Sequence, residues 1–206
     1  MTIINGRTCI VDGKPVDKVF SNGRQVYGRN LLTGTSNDIK STNGQATMQG
    51  ARATIDGVYS RTDSYEQVIA PSSGEFYYRF VVPNTNNLYG LTPGETYTLS
   101  GSGSYTSGKL TFRAQYGTTG SSWNDKRDLI DSGIPVSDGL VFTPFSYTFT
   151  IPVGATGMFF SLQNYDYTAG GLFRFKNMKL EKGSVATPWT PAPEDVMQFR
   201  KENTNE

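Results

Sequence analysis

Lys109-Leu110-Thr111-Phe112-Arg113-Ala114-Gln115-Tyr116 alternates without a break. Leu110, Phe112, Ala114 and Tyr116 fall on one face, and Thr111, Arg113 and Gln115 fall on the other. A period of two is the mark of a strand with one face buried. Phe145 to Ile151 repeats the pattern, with Phe145, Tyr147, Phe149 and Ile151 on one side. Working outward, further strands are expected over Val58 to Ile69, Phe76 to Val82, Thr96 to Ser100, Met158 to Tyr165 and Leu172 to Leu180. Turn residues separate them, as in Pro71-Ser72-Ser73-Gly74, Pro83-Asn84 and Thr92-Pro93-Gly94-Glu95. Roughly eight or nine strands at this spacing predict an all-β, two-sheet jelly-roll β-sandwich.

The totals agree. A chain of 206 residues accommodates one such sandwich and a small appendage. Its 23 glycines and 10 prolines suit many short turns, and its 12 tyrosines, 12 phenylalanines and 2 tryptophans can build a ring-rich core. A net charge of +1 lacks the pull on phosphates that nucleic-acid binding needs, and gives no argument for an anionic membrane surface. No run of apolar residues is long enough for membrane insertion, and the N-terminal MTIINGRTCIVDG has no basic-then-apolar leader pattern. A soluble protein made in the cytoplasm is expected, with a partner that is neutral and polar or another protein.

The absence of histidine excludes Ser-His-Asp and Cys-His catalysis and histidine-based zinc sites. The single cysteine, Cys9, allows no intramolecular disulfide. Carboxylates for glycoside hydrolysis must face each other across a cleft, and no pair stands out among Asp125, Asp128, Asp131 and Asp166. Gly101-Ser102-Gly103-Ser104 lacks the lysine and helix of a phosphate loop. The expectation is a binding module and not an enzyme, with no cofactor. A structural calcium is compatible with the chain, although no EF-hand spacing places it.

Both ends differ from the middle. Residues 1–28 read as a compact β-hairpin anchor or docking segment, with Asn5-Gly6 between Thr2-Ile3-Ile4 and Thr8-Cys9-Ile10-Val11, and Ser21-Asn22-Gly23-Arg24 between Val16–Phe20 and Gln25–Tyr27. Two hairpins cannot bury a core of their own, so this piece must lean on the next domain or on another chain. At the other end, the prolines of Thr187-Pro188-Trp189-Thr190-Pro191-Ala192-Pro193 forbid a central strand. Glu194 to Lys201 has the charge order of a short helix, acidic first and basic last, and the rest is tail. The division is therefore 1–28, a sandwich domain over 29–195, and a C-terminal tail over 196–206.

Two stretches carry a family likeness. One is Gly23-Arg24-Gln25-Val26-Tyr27-Gly28-Arg29-Asn30-Leu31-Leu32. The other is Phe173-Arg174-Phe175-Lys176-Asn177-Met178-Lys179-Leu180-Glu181-Lys182-Gly183, leading into Ala186 through Asp195 with its Thr-Pro-Trp-Thr-Pro string. Together they resemble the carbohydrate-binding-type modules of tail and baseplate proteins from siphophages of Gram-positive, lactic-acid-type bacteria. The resemblance covers residues 29–195 and implies a jelly-roll module on the virion that binds host cell-wall or capsular polysaccharide during adsorption. It also implies that residues 1–28 join other phage tail proteins, and that several copies or a homo-oligomer are present. Relatives continue into further domains where this chain stops at Glu206, which points to an accessory subunit. The alternative is a structural decorating subunit of tail or neck that packs on other phage proteins without binding sugar.

Sugar binding needs rings to lie on pyranose C–H faces, with amides, carboxylates and guanidinium groups around them for hydroxyls. Trp123, in the loop-like Thr118-Thr119-Gly120-Ser121-Ser122-Trp123-Asn124-Asp125, is either such a ring or a cap on the end of the core. Asn124 and Asp125 stand beside it. Asn164-Tyr165-Asp166-Tyr167 forms a second candidate, two tyrosines on a short loop. Arg113 and Gln115 form a third: they line a groove if their face is the hollow side of the sandwich, and are ordinary alternation if it faces solvent. Trp189, between Pro188 and Pro191, is assigned to plugging the sandwich where the chain leaves it.

Overall fold

The alternation at 109–116 becomes a nine-residue strand, Lys109–Gly117. A computed structural model describes residues 7–35, 45–49, 54–74, 76–80, 87–118 and 126–197. The strands in chain order are β1 (Ile10–Val11), β2 (Lys14–Pro15), β3 (Lys18–Ser21), β4 (Arg24–Gly28), β5 (Leu32–Thr33), β6 (Thr47–Met48), β7 (Thr54–Asp56) and β8 (Val58–Arg61). They continue as β9 (Glu66–Ile69), β10 (Phe76–Arg79), β11 (Thr96–Tyr105), β12 (Lys109–Gly117), β13 (Lys126–Asp131), β14 (Thr143–Thr150), β15 (Gly157–Tyr165) and β16 (Leu172–Lys182). Two five-stranded antiparallel sheets result, with strand orders β13-β12-β15-β10-β7 and β14-β11-β16-β9-β8. They face each other as a jelly-roll sandwich.

Rings fill the space between them. Phe112 lies 4.3 Å from Tyr147, Phe80 stacks on Phe160 at 4.9 Å, and Tyr78 meets Phe175 edge-on at 4.8 Å. The first sheet supplies Phe76, Tyr78, Phe112 and Phe160, the second Phe149, Phe173 and Phe175, all buried. Offset and edge-to-face packing at these distances adds to simple burial.

Two sequence expectations need correction, and a third falls outside the described residues. Val58 to Ile69 is not one strand: β8 and β9 form a hairpin, and Thr62 turns the chain by accepting hydrogen bonds at Oγ1 from the amides of Ser64 and Tyr65. A threonine-based turn has no glycine or proline to announce it. Thr96 to Ser100 continues to Tyr105 through Gly101 and Gly103, where a Cβ would meet Met178 at 2.5 Å and Ile134 at 2.9 Å. These glycines serve close packing inside a strand. Finally, the first described hairpin turns at Asp12-Gly13, both at positive φ, and joins β1 to β2; the expected Asn5-Gly6 turn lies outside the described residues.

The second hairpin, β3-β4, turns at Asn22-Gly23 as the sequence indicates. Its far end rests on the outer face of the second sheet, where Tyr27 is buried and the Gly28 amide donates to Thr187 Oγ1 at 3.0 Å. The chain beyond β16 forms no strand as far as the helix at 193–197, where the described residues end. Asp195 in that helix is not a solvated N-terminal charge. It is buried, and both its carboxylate oxygens accept from the Gly34 amide, at 3.2 and 2.9 Å.

Asn30 ties these pieces together. Its Oδ1 accepts from the amides of Leu32 (3.0 Å) and Leu180 (3.1 Å). Its Nδ2 lies within hydrogen-bond distance of Thr35 Oγ1, Met178 O and Thr190 O. One fully buried amide thus joins the entry of the sandwich, its last strand and the exit segment.

Candidate functional site

Each strand of the first sheet has a second face, turned away from the ring core. Register places Arg113 beside Ser161, Gln115 beside Phe159 and Thr111 beside Gln163. On the other side of β15, Tyr77 lies beside Gln163 and Arg79 beside Ser161. Aromatic rings, guanidinium groups, amides and a serine therefore share one surface that the core does not need.

The guanidinium groups lie over the rings. Arg79 sits 3.9 Å from the centroid of Tyr77 and 5.0 Å from that of Phe159, and Arg113 sits 5.2 Å from Phe159. Both arginines thus share one phenylalanine, an arrangement that orients a planar cation. Arg79 also donates to the Tyr77 hydroxyl. Arg113 Nη1 donates to Gln163 Oε1 at 3.0 Å, and the Tyr165 hydroxyl donates to that oxygen at 2.9 Å. Tyr77, Phe159, Gln115, Ser161 and Gln163 are buried, whereas Arg79, Arg113 and Tyr165 are half-buried. The rings form a floor and the guanidinium groups an upper layer.

The third candidate set is thus resolved in part: Arg113 and Gln115 do share a face, but Gln115 is buried and does not face solvent. The second set is divided. Tyr165 belongs to this surface, yet Tyr167 does not: its ring meets Phe76 edge-on at 5.3 Å and its hydroxyl donates to Gly74 O at 2.8 Å. Asn164 points to the core side, buried, with Nδ2 donating to Ser107 O at 2.7 Å. Alternation alone would put both tyrosines on one face, but the left-handed Asp166 between them breaks the strand, so they do not make one platform. Asp166 is exposed, in the left-handed turn that ends β15. Trp123, Asn124 and Asp125 lie outside the described residues.

Tyr77, Arg79, Phe159 and Gln163 were missed by the sequence reading. The alternation of Phe159, Ser161, Gln163 and Tyr165 carried the signal, but Met158-Phe159-Phe160 reads as uniformly apolar. Among the described residues no three His, Cys, Asp or Glu side chains are grouped as metal ligands.

The family-marking motif has a different task. Lys179 and Glu181 are wholly buried on the outer face of the second sheet. Lys179 Nζ donates to Thr187 Oγ1 (2.7 Å) and Pro188 O (2.9 Å) and lies 3.7 Å from Glu181 Oε1. Thr187 gives its amide to Glu181 Oε1 and its hydroxyl to Oε2, each at 2.8 Å. Burial lowers the Lys179 ammonium to about 8. The conspicuous string at 179–190 fastens the chain's exit. Trp189 is half-buried in this segment, as a plug would be.

Comparison with known proteins follows the architecture. No family model and no curated protein matches the chain. Its structural neighbours include a phage baseplate protein and carbohydrate-binding modules. The tripod from the baseplate of bacteriophage Tuc2009 is 23% identical at a TM-score of 0.47, over 83% of this chain and 61% of that one. The CBM22-1 xylan-binding domain of Paenibacillus barcinonensis Xyn10C is 12% identical at 0.47, over 74% of this chain and 94% of that one. The enzymatically active domain of bacteriophage CBA120 tailspike protein 4 is 12% identical at 0.49, over 75% of this chain but 21% of that one. The chain thus spans about a fifth of the tailspike domain and three fifths of the tripod chain.

Proposed function

We propose that this protein is a non-enzymatic virion tail or baseplate module, and that the outer face of its first sheet holds host cell-wall or capsular polysaccharide during adsorption. The supporting observation is the layer of Arg79 and Arg113 on Tyr77 and Phe159, bordered by Tyr165 and Gln163. A guanidinium held flat offers several N–H donors in one plane to sugar hydroxyls, while buried rings beneath keep it from collapsing onto the sheet. No step of bond breaking enters this reading. Trp123, Asn124 and Asp125 remain candidates for the same ligand. Residues 1–28 are proposed to join other tail proteins, and repeated copies to raise avidity where one site is weak.

The test uses the full chain fused to a fluorescent protein, on sensitive host cells and on purified wall polysaccharide, with and without calcium. Specific labelling that falls at least about tenfold in Arg79→Ala/Arg113→Ala, with an unchanged melting temperature, is expected. Failure to bind any sensitive strain, or release of reducing ends from the polysaccharide, would sink it.

A further inference from the structure

Four strands end the two sheets, and three of them are guarded. β13 carries Lys126, Arg127, Asp128 and Asp131, β8 is four residues with Arg61, and β7 is three residues with Asp56. Charge and brevity are the usual protections of an open edge. The fourth edge strand, β14, is eight residues long and has no charge: Thr143-Pro144-Phe145-Ser146-Tyr147-Thr148-Phe149-Thr150. Among the described residues no strand pairs with its free side.

The groups on that free side can be named. Ile151, just beyond β14, turns both its amide and its carbonyl toward β11's approach, bonding Glu95 O at 3.0 Å and the Gly94 amide at 2.8 Å. Successive residues of an antiparallel strand point their backbone groups to opposite sides. Two residues back, Phe149 therefore faces β11 as Ile151 does, whereas Thr150, Thr148, Ser146 and Pro144 present their groups outward. Proline at the free edge wastes no donor there.

We propose that two copies of this chain join through antiparallel pairing of β14 with β14, about a two-fold axis at Tyr147. In this register Ser146 and Thr148 exchange both backbone bonds with their counterparts, and Thr150 donates to the carbonyl of Pro144. Every outward amide of the strand finds an acceptor. The hydroxyls of Ser146 and Thr148, exposed on one face, come opposite each other and extend the existing Thr98–Thr148 pair. The same register brings Val141, just before β14, and Val153, in the turn just after it, to the same end of the seam from opposite copies. Both are bare in the single chain, at 61% and 86% exposure. Moving the axis to Ser146 or Thr148 loses that apolar match and takes Thr150 or Pro144 out of the pairing. An isologous contact of this kind closes on itself, and the joined sheet then ends in the short β8 of each copy.

Sedimentation of the full chain tests it. The wild type at about 100 µM is expected to run as a dimer of the 22.6 kDa chain. Ser146→Lys/Thr148→Lys brings like charges together across the axis at positions already exposed. It should weaken the dimer at least about tenfold while the monomer loses no more than the Thr98–Thr148 hydrogen bond. As a second measurement, Cys9→Ser/Val141→Cys/Val153→Cys should form a covalent dimer on oxidation. A wild type that is monomeric at that concentration overturns the proposal. So does a dimer that ignores the lysines and cannot be cross-linked.

Discussion

Lys179 and Glu181, two residues apart on β16, point to the same side and are sealed from solvent together, with Thr187 bridging them. A buried ion pair is weak evidence for stability, because desolvation of two charges offsets much of their attraction. Removing one partner is another matter, since the other is left buried and unpaired. Lys179→Met should therefore destabilise the protein by about 3–5 kcal/mol in urea unfolding, and Lys179→Met/Glu181→Leu by clearly less than the sum of its parts.

Gly28 meets the same pair from the hairpin side. A Cβ there would stand 1.8 Å from Glu181 Oε2, so Gly28→Ala must push either the hairpin or the carboxylate away. Faster amide exchange in residues 18–28, with the sandwich core still protected, is the expected result. If protection of the hairpin is unchanged, the contact has relaxed by some other route.

A third prediction concerns pH. Glu66 is buried between Tyr59 and Tyr78, whose hydroxyls donate to its Oε2 at 3.0 and 3.3 Å, and burial raises its carboxyl to about 7. Burial likewise raises Asp195 to about 6. For a carboxyl raised on folding, the native state holds the proton more tightly. The stabilisation is complete below the unfolded value near 4 and is lost as pH rises through the folded value. Lys179, lowered by burial to about 8, titrates at the alkaline end of that range with the opposite sign, so the carboxyl effect stands clear below it. The melting temperature should thus increase as pH falls from 8 to 5, by several degrees for about 3 kcal/mol from Glu66. Glu66→Gln should flatten most of this dependence in calorimetry.

The β3-β4 hairpin lies over Lys179 and Glu181, so a chain beginning at residue 29 should lose stability. It uncovers Lys179 and Glu181 and removes the Gly28 amide from Thr187. A lower melting temperature for that fragment, by roughly 4 °C or more, is expected from even 1–2 kcal/mol. An identical melting temperature would mean that the hairpin contributes nothing to the sandwich.

The long strands were legible because half of each faces the core, and a period of two in β12 and β14 has no rival explanation. The β8-β9 hairpin was hidden by a turn built from hydroxyl groups. The outer face of the first sheet was half legible: Arg113 and Gln115 stood out against an apolar face, while Tyr77 and Phe159 passed for core because rings predict burial whichever face they occupy. They are indeed buried, but under arginines. Lys179 and Glu181 were misleading in the opposite sense, since charged residues that alternate with Met178 and Leu180 read as a solvated face. Only the chain returning over them from both sides makes that position an interior.

That return has a mechanical meaning. Asn30 grips Leu32, Met178, Leu180 and Thr190 at once, so a tug arriving along the hairpin reaches the exit segment within one side chain. Neither sheet has to stretch to transmit it. A particle held to a cell through such a module would load the amide clasp at one end of the path and the face where we place the glycan at the other.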